Sequence, residues 1–196
     1  FVGFLMDGIL LLEKQKNTSH YRIQPLPVNS GVFCLKKDRF QDIVWIGTDG
    51  QGVYLYSNPL YSIKSVVLGN YTEKIERPVR ALLQDDERTF WVGTKGNGIL
   101  KIYDYEVDKN LSDCRAEVLT TSNSALGSNA VYCFARSHRN LLWIGEEEGL
   151  TYYSYREKRI KRLPVRIGNQ EFKYIHDIYE TADSELWLAS VGMGVV

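Results

Sequence analysis

The sequence predicts an all-β protein, a β-propeller built of four-stranded antiparallel blades, and three observations lead to this prediction. First, the four tryptophans stand in similar pentapeptides (VWIGT, FWVGT, LWIGE and LWLAS), between 44 and 52 residues apart. Second, an apolar segment precedes each tryptophan and a glycine-containing loop follows it. Third, the apolar segments are short and bounded by Gly, Asp, Asn or Ser, which is typical of strands rather than helices.

The first two strands of each blade are the clearest. The predicted first strands are VFCLKKD from Val32, VRALLQD from Val79, VYCFARS from Val131 and IHDIYET from Ile175. The second strand carries the tryptophan, and it is apolar throughout because neighbouring blades cover both of its faces. We expect Trp45, Trp91, Trp143 and Trp187 to be core residues, each beside a small residue that leaves room for the next sheet.

The third and fourth strands complete the repeat. The third strands are GVYLYS from Gly52, GILKIYD from Gly98, GLTYYSY from Gly149 and, near the start of the chain, GILLLE from Gly8. The fourth strands are weaker: HYRIQPL from His20, YSIKSVVL from Tyr61, CRAEVLTT from Cys114 and REKRIKRLPV from Arg156.

These segments give three complete blades at 32–68, 78–121 and 130–165. The outer half of a further blade lies at 1–27 and the inner half of another at 173–196. The two halves could complete one blade of a four-bladed ring. We predict instead that the chain is a segment of a larger propeller, because an open array of blades would leave exposed sheet edges.

The loops GTDGQG and GTKGNG resemble phosphate-binding loops only in their glycines. A phosphate loop requires a following helix, whereas here a strand lies on either side. The glycines therefore indicate a tight turn between the second and third strands. Similarly, we expect Asp38, Asp85, Ser137 and Thr181 to bond to the backbone of the turn after each first strand.

Composition excludes several partners. Lys plus Arg (24) equals Asp plus Glu (24), so no overall charge favours nucleic acid. No apolar run approaches the roughly 20 residues that span a bilayer, and any membrane contact is expected through parts absent from this sequence. The three cysteines, Cys34, Cys114 and Cys133, lack metal-ligand spacing and are interpreted as small buried side chains. We predict no metal and no cofactor.

Two groups of residues are candidate ligand sites. Alignment of the first strands places Phe33, Arg80, Tyr132 and His176 at one equivalent position, directly after the leading Val or Ile. If that position faces a central channel, the four side chains suit a sugar or an acidic sugar; alternatively, they only fill or hydrate the channel. The second group is on the loops at the end of the blades where successive blades connect: Asp49, Lys95, Asn97, Glu146, Glu147 and Glu148.

No catalytic site is predicted. Adjacent carboxylates such as those of Glu146 to Glu148 do not form a glycosidase pair across a cleft, and no GxSxG nucleophile elbow occurs.

The pattern SNAVYCF…LLWIGEEEGLTYYS, with IVWIGTDGQGVYLYS and TFWVGTKGNGILKI, resembles the two-component regulator propeller repeat. The resemblance covers essentially the whole chain, although EEEG and ASVGMG depart from the TxGxG loop. It implies a propeller of typically seven blades in the periplasmic region of a hybrid two-component receptor whose other parts include a histidine kinase.

From this resemblance we expect a periplasmic, non-catalytic sensor module for polysaccharide-derived oligosaccharides, in a receptor that forms a homodimer. One alternative is a protein-interaction or dimerisation scaffold without a small-molecule site. Another is a propeller lyase or hydrolase acting on a glycan.

Overall fold

The computed structural model describes residues 1–57, 62–65, 75–106 and 114–196. These residues form β-strands in six antiparallel sheets and no helix, so this part of the chain contains no helix that could cross a membrane. The all-β prediction is confirmed.

Three sheets have four strands each, joined in sequence order. Sheet 1 consists of β4 (Val32–Lys37), β5 (Ile43–Thr48), β6 (Val53–Ser57) and β7 (Ser62–Ser65). Sheet 2 consists of β8 (Val79–Gln84), β9 (Phe90–Thr94), β10 (Ile99–Ile102) and β11 (Ala116–Leu119). Sheet 3 consists of β12 (Val131–Arg136), β13 (Leu141–Glu146), β14 (Gly149–Ser154) and β15 (Arg159–Leu163). Of the predicted blades, residues 58–61, 66–68 and 107–113 lie outside the described residues.

The two predicted half blades each contain three strands rather than two. The N-terminal sheet consists of β1 (Val2–Gly3), β2 (Ile9–Lys14) and β3 (Tyr21–Leu26). The C-terminal sheet consists of β18 (Ile175–Glu180), β19 (Leu186–Ser190) and β20 (Gly194–Val195). In the order of strands within a blade, β1 and β2 are the second and third strands of the N-terminal sheet, and β19 and β20 are those of the C-terminal sheet. In the described part of the chain the two are separate sheets.

A small hairpin that the sequence did not predict connects sheet 3 to the C-terminal sheet. It pairs β16 (Arg166–Ile167) with β17 (Gln170–Glu171). Gly168, at φ +59°, lies in its two-residue turn.

Successive sheets pack through their first strands. The first strands β4, β8, β12 and β18 follow one another as neighbours, and β1 contacts β4. Gly47 lies at this contact, because a Cβ there would lie 2.7 Å from Val79 Cγ1 of the next sheet. At Gly145 a Cβ would lie 2.6 Å from the carbonyl oxygen of Ile175. The small residue beside the tryptophan thus leaves room for the next sheet, as predicted.

Three of the four tryptophans are buried in the apolar layers between sheets. Trp45 and Trp91 are 0% exposed and Trp143 is 5% exposed. Trp45 stacks on Phe90 of sheet 2, with 3.7 Å between ring centroids. The prediction is wrong for Trp187, which is 52% exposed, because no described strand covers that face of the C-terminal sheet.

Each turn after a first strand is closed by a side-chain oxygen, as predicted. Asp38 Oδ1 accepts hydrogen bonds from the backbone N–H groups of Phe40 and Gln41. The equivalent acceptors Asp85 (2.8 Å), Ser137 (3.0 Å) and Thr181 (3.0 Å) bind backbone N–H groups in the other three turns.

Candidate functional site

The four first strands contain a β-bulge at the same position. In sheet 1, Val32 pairs with Thr48 and Cys34 pairs with Gly47, so Phe33 has no residue opposite it. The same register shift occurs at Arg80, Tyr132 and His176. A bulge interrupts the ladder and changes the direction of the extra side chain, and bulges are frequent beside functional sites. We call these four residues the bulge cluster.

The members of the bulge cluster contact one another in two pairs. The Arg80 guanidinium carbon lies 3.7 Å from the centroid of the Phe33 ring, which is a cation–π contact. The rings of Tyr132 and His176 stack with 4.2 Å between centroids and 20° between planes. Each pair joins two neighbouring first strands, so the sequence alignment identified residues that are close in space.

Electrostatic effects connect the two pairs. Burial lowers the pKa of His176, and the positive charges of Arg80 and Lys95 lower it further. Burial raises the pKa of Tyr132; the charge of Glu147 adds to this, while Arg80 opposes it. Arg80 therefore acts on both members of the second pair, and loop residues Lys95 and Glu147 act on the same cluster.

Arg80 also retains hydrogen-bonding capacity within this cluster. Its Nε is buried, and among the residues that the structure describes it has no hydrogen-bond partner. A buried donor without an acceptor costs about 1–3 kcal/mol. An acceptor oxygen on a ligand would remove this penalty.

The cysteines beside the bulges have a structural role. The thiols of Cys34 and Cys133 lie 3.6 Å from the backbone carbonyl oxygens of Val79 and Ile175, the first residues of the next first strands. Burial raises the pKa of both thiols to about 12, so they are not activated nucleophiles. The predicted burial is observed at Cys114, whereas Cys34 and Cys133 are half-buried.

The predicted loop residues lie at the same end of the sheets as the bulge cluster. The backbone N–H groups of Asp49, Lys95 and Glu147 donate to carbonyl groups just before their own first strands, at 2.8 to 3.0 Å. Asp49 and Lys95 are exposed, whereas Glu147 is half-buried and accepts a hydrogen bond from the Ser128 hydroxyl. These three loops are thereby tied to the strands that carry the bulges.

The other three loop residues differ in their environment. Glu146 is 1% exposed, and its carboxylate accepts hydrogen bonds from the backbone N–H groups of Gly127 and Ser128, which removes it from the exposed loop surface. Glu148 accepts a hydrogen bond from Lys173 Nζ at 2.5 Å. Asn97 Oδ1 is buried and, in the described part of the chain, has no partner.

The structure also bears on which residues could hold a metal. In residues 1–57, 62–65, 75–106 and 114–196, no three His, Cys, Asp or Glu side chains come together as a metal-binding group. The predicted absence of catalysis stays a prediction.

Sequence reasoning identified the four positions of the bulge cluster but not the bulge itself. The four residues at that position are Phe, Arg, Tyr and His, so no single residue type marks it. The only signal was the equivalence of position in the repeat.

Solved structures resemble this chain over most of its length. The extracellular domain of the hybrid two-component system BT3049 of B. thetaiotaomicron matches 98% of the chain with a TM-score of 0.64 and 21% identity. PorZ, a surface component of the type-IX secretion system of Porphyromonas gingivalis, matches 87% with the same TM-score and 16% identity. The extracellular domain of the one-component system BT4673 of B. thetaiotaomicron matches 89%, with a TM-score of 0.50 and 13% identity.

The chain shares its fold with these proteins. It covers 26% of the BT3049 and PorZ chains and 36% of the BT4673 chain, so it spans about a quarter to a third of each. No protein-family model matches the sequence, and no curated protein does. Because identity is low, the likeness concerns the fold alone, and function has to be argued from the site.

Proposed function

We propose that this chain is part of the periplasmic ligand-sensing region of a hybrid two-component receptor, and that it responds to oligosaccharides derived from polysaccharides. The observation that carries the proposal is the convergence of four bulged residues at one end of the sheets. One of them, Arg80, has a buried Nε without a hydrogen-bond partner in the described part of the chain. The fold likeness to an extracellular domain of such a system supports it.

The proposed architecture is a segment of a larger β-propeller, of seven blades in the family that the repeat resembles. Neighbouring first strands and outward-running meanders in sheets 1 to 3 support the blade arrangement. The greater length of the BT3049 chain supports the view that further blades belong to the same protein.

The chemistry of the bulge cluster suits a sugar with acidic or hydroxyl substituents. Aromatic rings stack on the apolar faces of sugar rings, and Phe33 and Tyr132 supply such rings. Arg80 and His176 supply nitrogen donors, and a hydrogen bond from a guanidinium to a carboxylate is roughly twice as strong as a neutral one. Lys95 and Glu147 on the adjacent loops could contact the same ligand.

Signalling would follow from a population shift. A ligand that binds one packing arrangement of the sensor region more tightly than another moves the equilibrium by its differential affinity. In this proposal the segment is non-catalytic, the kinase and membrane anchor belong to other parts of the receptor, and the receptor acts as a homodimer. No cofactor is required.

A thermal-shift screen against plant and host oligosaccharides tests the proposal. A ligand that binds only the native state raises the melting temperature, and 100-fold excess over Kd stabilises by about 2.7 kcal/mol. We expect one class of glycan to raise it, and His176→Ala to abolish the increase. The matched control is His138→Ala, because His138 is exposed in the turn after β12. A response that survives His176→Ala would place the ligand elsewhere.

The second candidate function is a protein-interaction platform, and one observation favours it. Leu5 and Met6, on the loop between β1 and β2, are 70% and 87% exposed. Phe4 in the same loop is 38% exposed, and contiguous exposed apolar side chains are typical of interaction surfaces. The fold likeness to PorZ, a secretion-system surface component, is compatible with such a role.

Sedimentation velocity distinguishes this candidate from the sensor proposal. If the protein self-associates, and Leu5→Ser with Met6→Ser makes it monomeric while no glycan binds, the platform function is supported. A monomer at all concentrations removes the case for self-association through this loop.

A further inference from the structure

Lys101 breaks the repeat pattern at a buried position. It lies on β10 directly opposite Trp91, in the position that Leu55 occupies opposite Trp45 in sheet 1. In sheet 3 the equivalent residue is Tyr152, opposite Trp143. An apolar or aromatic side chain is therefore expected at residue 101. Such local departures from an otherwise consistent pattern tend to mark functional sites.

The Lys101 ammonium is buried among aromatic rings. The residue is 4% exposed, and Nζ lies 4.7 Å from the Trp91 ring centroid, 4.9 Å from that of Tyr103 and 4.6 Å from that of Tyr153. Contact with three ring faces stabilises the cation only in part, since it replaces only some of the hydration that burial removes. Burial consequently lowers the pKa of Lys101, and the charge of Glu117 opposes that effect.

The hydrogen bonding of this ammonium is incomplete. Its hydrogen bond to Glu117 Oε2 is 3.4 Å long, whereas charge-assisted N–H···O bonds are typically about 2.7–2.9 Å. An ammonium has three donors, and among the described residues this long bond is its one hydrogen bond, so capacity for an acceptor remains.

Lys101 lines a cavity between sheets 2 and 3. The cavity has a volume of about 150 Å³ and lies at the end of β9 where the Asp85–Thr89 turn is found. Lys95 follows the other end of that strand, so the cavity and the bulge cluster are at opposite ends of the sheets. Tyr153, Tyr155 and Lys158 of sheet 3 form the facing wall.

The groups available for bonding in this cavity are mainly hydrogen-bond donors. Asp85 already accepts hydrogen bonds from Thr89 N, Trp91 Nε1 and Tyr155 Oη. Glu117, beside the cavity, accepts from Tyr103 Oη as well as Lys101. Arg115 and Lys158 line the cavity and are exposed, as is Glu87, the one further carboxylate among its lining residues. Three carboxylates (Asp85, Glu87 and Glu117) and three cations (Lys101, Arg115 and Lys158) therefore balance in formal charge, and what the cavity offers a ligand is the hydrogen-bond donors of the cations.

We propose that this cavity is a second ligand site, separate from the bulge cluster, and that it binds a small organic carboxylate. One carboxylate oxygen would complete the coordination of the Lys101 ammonium, and Arg115 or Lys158 would bind the other. At about 30 Å³ per molecule of liquid water, the cavity volume of about 150 Å³ corresponds to roughly five water molecules. A hydroxy acid of lactate or malate size fits this volume, and an oligosaccharide does not.

Calorimetric titration of the full chain with L-lactate and L-malate tests this site. The neutral comparison ligands are lactamide and malamide, which keep the size and hydroxyl groups but lose the charge. We expect at least one acid to bind and its amide not to bind. Lys101→Leu, which installs the residue found opposite Trp45, should weaken acid binding at least tenfold without loss of the fold.

Two controls make the result specific. Lys14→Leu changes an exposed lysine on β2 and should leave acid binding unchanged, and so should Arg22→Ala, because Arg22 is exposed on β3. If Lys101→Leu does not fold, Arg115→Gln replaces it in the same comparison. The proposal is overturned if neither acid binds the unmodified chain, if the amides bind as well as the acids, or if the variant binds them normally.

Discussion

Individual buried side chains connect the turns to the tryptophans. Trp45 Nε1 donates to Asp38 Oδ2 (3.0 Å) and Trp91 Nε1 to Asp85 Oδ2 (2.8 Å), both within one sheet. In sheet 3 a serine replaces the aspartate, and Trp143 Nε1 donates instead to Glu180 of the C-terminal sheet at 2.8 Å. The turn and the core therefore depend on the same carboxylate in two of the three cases.

Replacement of Asp85 by alanine should cost about 2–4 kcal/mol of unfolding free energy. Asp85→Ala leaves the buried donors Trp91 Nε1 and Thr89 N without their acceptor. Urea unfolding followed by tryptophan fluorescence measures the loss. Asp183→Ala, at an exposed turn residue, is the control, and an equal effect of both changes would contradict this role.

The bulge cluster should make stability depend on pH through His176. Burial, Arg80 and Lys95 lower the pKa of His176 in the folded protein below its ordinary value of 6.5. Protonation is then easier in the unfolded chain, so stability is present above about pH 6.5 and falls as pH decreases below it.

Urea unfolding at pH 8 and pH 5.5 checks this dependence. We expect His176→Asn to lose less stability on acidification than the unmodified chain, while His138→Asn behaves like the unmodified chain. Equal losses in all three proteins would show that His176 is not the group responsible.

Among the elements, the strands around the tryptophans were predictable because they are apolar throughout and the same pattern occurs four times in the chain. The sequence also indicated the turn residues correctly, since Asp, Ser and Thr bond to their own backbone. It did not reveal the bulges, which result from pairing between strands, or the two-residue strands Val2–Gly3 and Gly194–Val195. It also placed Glu146 on the loop surface, although its carboxylate is buried against the connection before β12.

Close approach between neighbouring sheets makes Gly47 sensitive to added volume. A Cβ at this position would lie 2.5 Å from Cys34 Sγ and 2.7 Å from Val79 Cγ1. Gly47→Ala should therefore destabilise the protein by about 1–3 kcal/mol, as overpacking does elsewhere.

A double variant separates the two contacts. Cys34→Ala removes the sulfur but not the Val79 methyl group, so it should restore part of the loss caused by Gly47→Ala. Unfolding midpoints in urea provide the comparison. An unchanged midpoint for the single variant would show that sheets 1 and 2 are farther apart than described.

In the whole molecule each sheet packs against the next sheet along the chain, and this order determines which side chains are buried and which are exposed. Sheets 1 to 3 bury their tryptophans under the next sheet, whereas Trp187 and Tyr179 of the C-terminal sheet are 52% and 67% exposed. The sequence could not indicate this difference, because LWLAS has the same apolar pattern as the buried segments. Whether a tryptophan is exposed depends on whether another sheet covers it, and the residues around the tryptophan do not contain that information.

The central claim is that the bulge cluster is the ligand site of a sensor module. Calorimetry of the protein with the oligosaccharide that raises its melting temperature most tests this, by comparison of Arg80→Ala with Arg22→Ala, a change at an exposed arginine on β3. We expect Arg80→Ala to weaken binding at least tenfold, about 1.4 kcal/mol, and Arg22→Ala to leave it unchanged. Equal affinity of the two variants and the unmodified protein would contradict the claim.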